Sequence, residues 1–355
     1  KHCKGNYIRN YAFYTRKMSQ EIEKEQRIVN SMKSALENHE FVVFYQPKYE
    51  LCDNQIAGAE ALVRWKHPER GMVSPGEFIP VFERNGFITK LDYYVWEQTC
   101  IQLRKWLDEG KQPLPISVNL SRISLYNKGL VEMICDLVDR YRIPRRLFQV
   151  ELTESAYNTN PKAVQDMMQH LRDEGFYILM DDFGSGYSSL NILKDIVVDV
   201  LKMDMKFFDG KDREGRGENI MAAVIRMAKW LNMPVVAEGV ERIEQVEFLR
   251  SIGCEYVQGY YFAKPMPVED YEKLQFDRPH TERKKDTERL VDIDSLWTPA
   301  SPLESLFLNA KQGVAVYEYC KEQIEIIRVN NAYYELFGYQ DISQKNNIFQ
   351  GISKR

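Results

Sequence analysis

The 355-residue sequence has no Cys-x-x-Cys pair, no long basic run and no apolar stretch approaching the ~20 residues of a membrane-spanning helix. Each absence removes a class of function. The six cysteines (Cys3, Cys52, Cys100, Cys135, Cys254 and Cys320) are scattered, mostly in apolar contexts, which excludes a thiolate metal knuckle and predicts reduced, buried thiols. A cytoplasmic setting is expected. The chain opens at Lys1 and is expected to be part of a longer protein, in which any membrane anchor would lie outside this stretch. Lysine and arginine (48) nearly balance aspartate and glutamate (52), so bulk charge gives no attraction for duplex nucleic acid, and any phosphate must be held by local groups. Histidine is scarce as well. The five residues (His2, His39, His67, His170 and His280) read as surface or packing positions.

What is present is alternation. Residues 17–37 carry Ile22, Ile28, Val29, Met32 and Leu36 among charges, the spacing of an amphipathic helix, and residues 19–40 read as a linking helix leading into a domain. Strands are predicted over 41–50, 56–65, 115–121, 147–154, 176–183, 197–204, 234–240 and 256–262. Helical patterns fall between them, among others at 89–110, 161–175, 218–232 and 242–253. Eight strands with intervening helices over roughly 240 residues predict an α/β fold, a TIM-like (β/α)8 barrel. The link between the first two strands is too short for a helix, so one strand is expected to be antiparallel. Beyond it the pattern breaks. Residues 278–300 read as a charged linker, and 301–355 as a partial unit whose segment 313–339 holds two short strands and a helix start.

The reactive face of such a barrel lies where strands end, and polar groups gather there repeatedly. The second strand carries Glu60 and Arg64, the third Asn119 and Ser121, the fourth Glu151 and Glu154, and the fifth Asp181 and Asp182. The sixth brings Lys202 and Asp204, the seventh Glu238 and Glu241, the eighth Gln258. Singly, a strand-end carboxylate is more often a helix cap or a solvated loop residue. Together they concentrate negative charge on one rim, for which divalent cations are the natural remedy. Oxygen donors, one amide and no imidazole or thiolate favour hard ions, Mg²⁺ or Mn²⁺. A pair of such ions activates water and polarises a phosphoryl group. Lys202 is placed to position that water or to neutralise developing charge, and Glu238 to be a ligand or a proton acceptor. Arg64 offers a fork for phosphate. If the fifth strand kept its alternation, Asp181 and Asp182 would face opposite ways, so a turn at Phe183-Gly184 is expected to bring them together. Ser185, Ser188 and Ser189 can then hydrogen-bond within that loop, and Glu154 can tether it by accepting backbone N–H bonds. An ordinary helix cap is the alternative for Glu154.

The stretches 60-EALVR-64, 118-VNLS-121, 151-ELTE-154, 181-DDFGSGYSS-189, 202-KMD-204, 238-EGVE-241 and 258-QGYYFAKPMP-267 resemble the EAL domain, in order and at compatible spacing over about residues 27–277. The resemblance implies a bacterial phosphodiesterase that opens cyclic di-GMP to linear pGpG. It implies a barrel with one reversed strand, often paired as a homodimer through the barrel. It implies Glu60, Asn119, Glu151, Asp181 and Asp182 as metal ligands, and Lys202 and Glu238 acting around the attacking water. Gln46, Arg64 and Gln258 would serve the substrate, with Glu154 anchoring the loop and Asp204 and Glu241 as further site residues. Two divalent cations, Mg²⁺ or Mn²⁺, are expected as cofactors, with Ca²⁺ inhibiting. Ser185 stands where threonine is common and Met203 where isoleucine is usual; neither supplies a metal-binding atom. Residues 1–18 resemble the tail of a GGDEF domain and 301–355 the opening of a PAS domain, so adjacent signalling domains are expected in the parent. The alternatives are a catalytically silent cyclic di-GMP receptor, which usually lacks one of the acids, and a hydrolase of another phosphodiester.

Overall fold

The computed structural model describes residues 16–157, 161–184, 198–205, 216–277, 302–320 and 323–336. Nine strands form one sheet: β1 (Phe41–Glu50), β2 (Ile56–His67), β3 (Gly71–Val73), β4 (Ile116–Asn119), β5 (Phe148–Thr153), β6 (Tyr177–Asp181), β7 (Val200–Asp204), β8 (Val235–Glu238) and β9 (Tyr256–Val257). The order β1-β9-β8-β7-β6-β5-β4-β2 closes on itself through β1–β2 pairing, and β3 is a short flap on β2. Eight strands therefore make a closed barrel. β1 runs antiparallel to both β2 and β9, while the other barrel pairs are parallel. The reversed strand is the one that the short first connection demands.

Closure follows from the side chains. The buried strands are rich in branched and aromatic residues, and their outward faces, which include Val118, Val150, Ile178, Met180, Leu201 and Val235, pack with the inner faces of the surrounding helices into one core. A second core lies over the start of β1 and the end of β2, with Phe41, Trp65, Phe78, Phe82 and Phe87 packed ring against ring. Helix Arg16–Glu37 joins this second core through Ile28 and Ala35, both buried. Ion pairs Lys24–Glu77 (2.7 Å) and Arg84–Glu25 (3.0 Å) flank it. Ile22, predicted on the apolar stripe, is instead exposed.

Several predicted boundaries move. Helix Pro75–Asn85 was not anticipated, although Pro75 at its first turn and Gly86 at its end, with φ 78°, are ordinary start and stop signals. The last strand pairs only over Tyr256–Val257, not through residue 262. After it the chain folds onto the end of β8: Val240 N–H donates to Gln258 O (3.3 Å) and Tyr261 N–H to Val240 O (3.0 Å). Gly259 is needed there, because a Cβ would stand 2.1 Å from Val240 O. The thiols also divide differently. Cys100 and Cys254 are buried and Cys135 half-buried, but Cys52 is exposed.

A second compact unit contains helix Pro302–Asn309, an antiparallel hairpin (Ala315–Cys320 with Gln323–Val329) and helix Asn331–Leu336. These elements match the two strands and helix start predicted for 313–339. Buried Asn330 ties them together, donating to Phe307 O (3.1 Å) and Gln312 O (2.9 Å) and accepting from Val314 N–H (2.9 Å). Residues 1–15 and the whole 278–300 linker lie outside the described residues.

Candidate active site

Strand register delivers the polar side chains to one end of the barrel. Gln46 pairs opposite Glu60, Glu60 lies beside Ser117, Asn119 beside Glu151, and Asp204 beside Glu238. At the centre stands Lys202, fully buried. Its ammonium lies 2.5 Å from Glu151 Oε2, 2.6 Å from Glu238 Oε1, 3.3 Å from Glu60 Oε2 and 3.4 Å from Asp181 Oδ1. Four acids from four strands thus surround one lysine from a fifth.

The amides complete this ring. Asn119 Nδ2 donates to Glu60 Oε1 (2.7 Å), and Gln258 Nε2 donates both to Glu60 Oε2 (2.8 Å) and to Gln46 Oε1 (3.1 Å). Gln46 Nε2 in turn donates to Ala263 O (3.2 Å). The predicted substrate residues Gln46 and Gln258 are therefore in contact with each other, and Gln258 with the acid cluster. Arg64 lies half-buried farther along β2, donating to Val63 O (2.9 Å) with its guanidinium 5.7 Å from the Phe44 ring centre. Burial lowers its pKa from the ordinary value, while Tyr260 and Glu60 pull the other way.

The turn after β6 begins one residue earlier than expected. Asp182 itself adopts φ 57°, and its N–H donates to Asp181 Oδ1 (2.9 Å). Aspartate tolerates this left-handed conformation better than most residues, so the sequence can break its alternation at that point. Asp182 is exposed where Asp181 is half-buried. Gly184 N–H donates to Glu154 Oε2 (3.0 Å), and Glu154, buried, opens the short helix Glu154–Tyr157. Residues 185–197 lie outside the described residues, and Ser185, Ser188 and Ser189 with them. Asp204 is half-buried, its Oδ1 3.1 Å from where a Cβ on Gly239 would stand. Glu241 is exposed.

Electrostatics in this pocket is one-sided. Burial alone would strip Lys202 of its charge, but Glu151, Glu238, Glu60 and Asp181 hold its pKa well above the ordinary lysine value. Burial would likewise raise Glu151; Lys202 and Lys48 outweigh it and bring it down to about 2. Glu60, Asp181 and Glu238 are raised, first by burial and further by neighbouring carboxylates, Glu151 among them in each case, against the downward pull of Lys202. Two ammonium groups face four carboxylates, so the site holds more acid than the protein's own cations neutralise. Glu238 Oε1, although close to Lys202, has no well-directed hydrogen bond, and Gln258 Oε1 is buried without a partner. Oxygen-only donors and surplus negative charge are what a hard divalent cation fits.

Two elements of the site escaped the sequence reading. Lys48 is buried and donates to Glu151 Oε1 (2.7 Å) and Ser117 Oγ (2.7 Å). Its signal was present: Lys48 follows Gln46 at strand spacing and so shares its inward face. The other is a clamp from helix Ile88–Asp108. Asp92 Oδ2 accepts from Ser121 N–H (3.1 Å) and Ser124 Oγ (2.7 Å), and Trp96 Nε1 donates to Asn119 O (3.1 Å). No local pattern links a helix residue to a loop about thirty positions away in the sequence.

A closed barrel with one reversed strand and an acid-lysine ring at its strand ends defines a class of protein, and the EAL domain family matches residues 29–265. The chain belongs to the EAL family. It is 38% identical over 259 residues to an uncharacterized signaling protein of Caulobacter vibrioides, covering 73% of this chain and 32% of that one. It is 34% identical over 268 residues to the bifunctional diguanylate cyclase/cyclic di-GMP phosphodiesterase MucR of Pseudomonas aeruginosa, covering 76% and 39%. The solved PaMucR phosphodiesterase, a c-di-GMP complex, superimposes with a TM-score of 0.65 at 35% identity, covering 69% of this chain and 99% of that one. The match spans about a third of the length of these two relatives.

Proposed function

We propose that this chain hydrolyses cyclic di-GMP to linear pGpG with the help of two divalent cations, Mg²⁺ or Mn²⁺. The observation that carries the reading is the ring of Glu60, Glu151, Asp181 and Glu238 around Lys202, with every expected acid present. A silent receptor usually lacks one of them. Relatives named as cyclic di-GMP phosphodiesterases support the substrate.

Glu60, Asn119, Glu151, Asp181 and Asp182 would hold the cations, which supply Lewis-acid activation of water and of the phosphoryl oxygen. Because pGpG keeps its phosphate on the 5′ oxygen, the water oxygen forms a bond to phosphorus and the P–O3′ bond breaks. Glu238 accepts the proton of the water, and the 3′ oxygen leaves with a proton from solvent. Lys202 orients the water and balances charge that develops on the phosphoryl oxygens. Gln46, Gln258 and Arg64 bind the dinucleotide, Arg64 as a fork on phosphate. Asp204 and Glu241 complete the rim. A homodimer through the barrel, adjacent GGDEF and PAS domains in the parent and a cytoplasmic site of action belong to the same reading; among the described residues no helix is long and apolar enough to cross a membrane.

The test is incubation of purified protein with cyclic di-GMP and each cation in turn, followed by chromatography of the products. Expected are pGpG with Mg²⁺ or Mn²⁺, none after chelation, and inhibition by Ca²⁺, whose longer, looser coordination misplaces the nucleophile. Full turnover in chelator, or intact substrate with every ion, overturns the proposal.

A further inference from the structure

Lys48 has no part in the hydrolysis just described, yet the fold spends a buried lysine on it. It projects from the reversed strand β1 into the barrel interior and is only 5% exposed. Its ammonium is held at two points, by Ser117 Oγ (2.7 Å) and by Glu151 Oε1 (2.7 Å), and Ser117 Oγ lies 3.3 Å from Ala59 O. The two oxygens of Glu151 are thereby made unequal. Oε2 meets Lys202, an ammonium shared among four acids; Oε1 meets Lys48, whose ion pair among the described residues is with Glu151. A cation entering the acid ring competes with Lys202 for the oxygens around it. Lys48 meets the other oxygen of Glu151, where Ser117 Oγ also holds its ammonium.

Resting on the reading of Glu151 as a ligand, we propose that Lys48 is a positioning residue: it pins Oε1 so that Glu151 offers one oxygen, Oε2, to a divalent cation. Partners that orient a metal-binding side chain typically contribute 10- to 100-fold in affinity. The sign of the effect separates positioning from charge. Lys48 is a cation close to the site, so if it acted by charge alone, removing it would tighten divalent binding. If it acts by holding Glu151, removing it loosens binding.

The experiment measures Mn²⁺ uptake by the substrate-free chain, following the electron paramagnetic resonance signal of free Mn²⁺, for the native protein, Lys48→Met and Ser117→Ala. Lys48→Met keeps the length of the side chain without its charge. Expected is a loss of about 10-fold or more in Mn²⁺ affinity for Lys48→Met. A smaller loss is expected for Ser117→Ala, which keeps the ammonium but removes one of its two tethers. Equal or tighter binding by folded Lys48→Met overturns the proposal. Should Lys48→Met fail to give a cooperative thermal transition, Ser117→Ala decides, and unchanged affinity there overturns it. A native protein that takes up no Mn²⁺ overturns the ligand reading of Glu151 and the role of Lys48 with it.

Discussion

Lys202 and the acids around it should respond to substitution in opposite ways. Replacing Lys202 by Ala leaves buried carboxylates without their shared cation, and breaking a buried pair typically costs about 3–5 kcal/mol. Asp181→Asn removes one of several mutually repelling acids, so the metal-free fold should keep or gain stability. Both variants should lose turnover by at least ~10²-fold, together with Glu60→Ala, because each removes a group fixed in place for the reaction. Unfolding curves in chelator and rates in Mn²⁺ separate the two effects; a Lys202→Ala chain as stable as the native one contradicts the charge balance described. Asp92 adds a pH dependence. Burial pushes its carboxyl from 3.8 up to about 6, against the pull of its Ser121 and Ser124 hydrogen bonds. The folded chain thus binds that proton more tightly than the unfolded chain. Its contribution is full below pH 3.8 and is lost as pH rises through about 6. Asp92→Asn has no charge to bury, so its stability relative to the native chain should rise between about pH 4 and pH 7, by roughly 2–3 kcal/mol at most. A difference that stays constant over that range rules this out.

At the scale of elements, two attachments can be weighed. Helix Arg16–Glu37 reaches the second core through buried Ile28 and is flanked by the exposed ion pair Lys24–Glu77. Truncating a buried isoleucine typically costs about 2–5 kcal/mol, whereas an exposed pair contributes about 0–1 kcal/mol. Ile28→Ala should therefore lower the denaturant midpoint clearly and Lys24→Ala hardly at all; the reverse order would mean that the helix is held by charge. The second attachment is Glu154 Oε2 with Gly184 N–H. If this bond holds the loop that carries Asp182, Glu154→Gln should shift the metal dependence of activity to higher Mn²⁺ concentration. If Glu154 only caps its helix, the variant should lose about 1 kcal/mol of stability with an unaltered metal dependence. Parallel metal and thermal series decide between them. Much of this scale was legible in the sequence: period-two runs marked the strands, and the short link after residue 50 marked the reversed one. Boundaries were less so. The strand predicted from 256 to 262 looked continuous because its residues suit a strand, but Gly259 lets the backbone close on Val240 and ends the pairing. Composition does not record such an approach.

The barrel explains which site residues the sequence could reveal. Acids at strand ends stood out because polar groups recur there where apolar ones are the rule, and closure brings Glu60, Glu151, Asp181 and Glu238 onto one lysine. Lys48 did not stand out. In the sequence only its spacing from Gln46 marks it, and the closed ring is what buries that inward face against Glu151. Ser117 and Asp92 were hidden for the same reason, since their partners come from other elements. The reversed first strand has one more consequence. In an all-parallel barrel the first strand enters at the floor, opposite the reactive rim. Here Phe41, where β1 begins, pairs with Trp65 at the far end of β2, beyond Glu60 and Arg64. The doorway of the chain and the mouth of the pocket therefore open on the same side. A push or twist delivered through the helix ahead of residue 41 arrives beside β2 directly, with no barrel wall to cross.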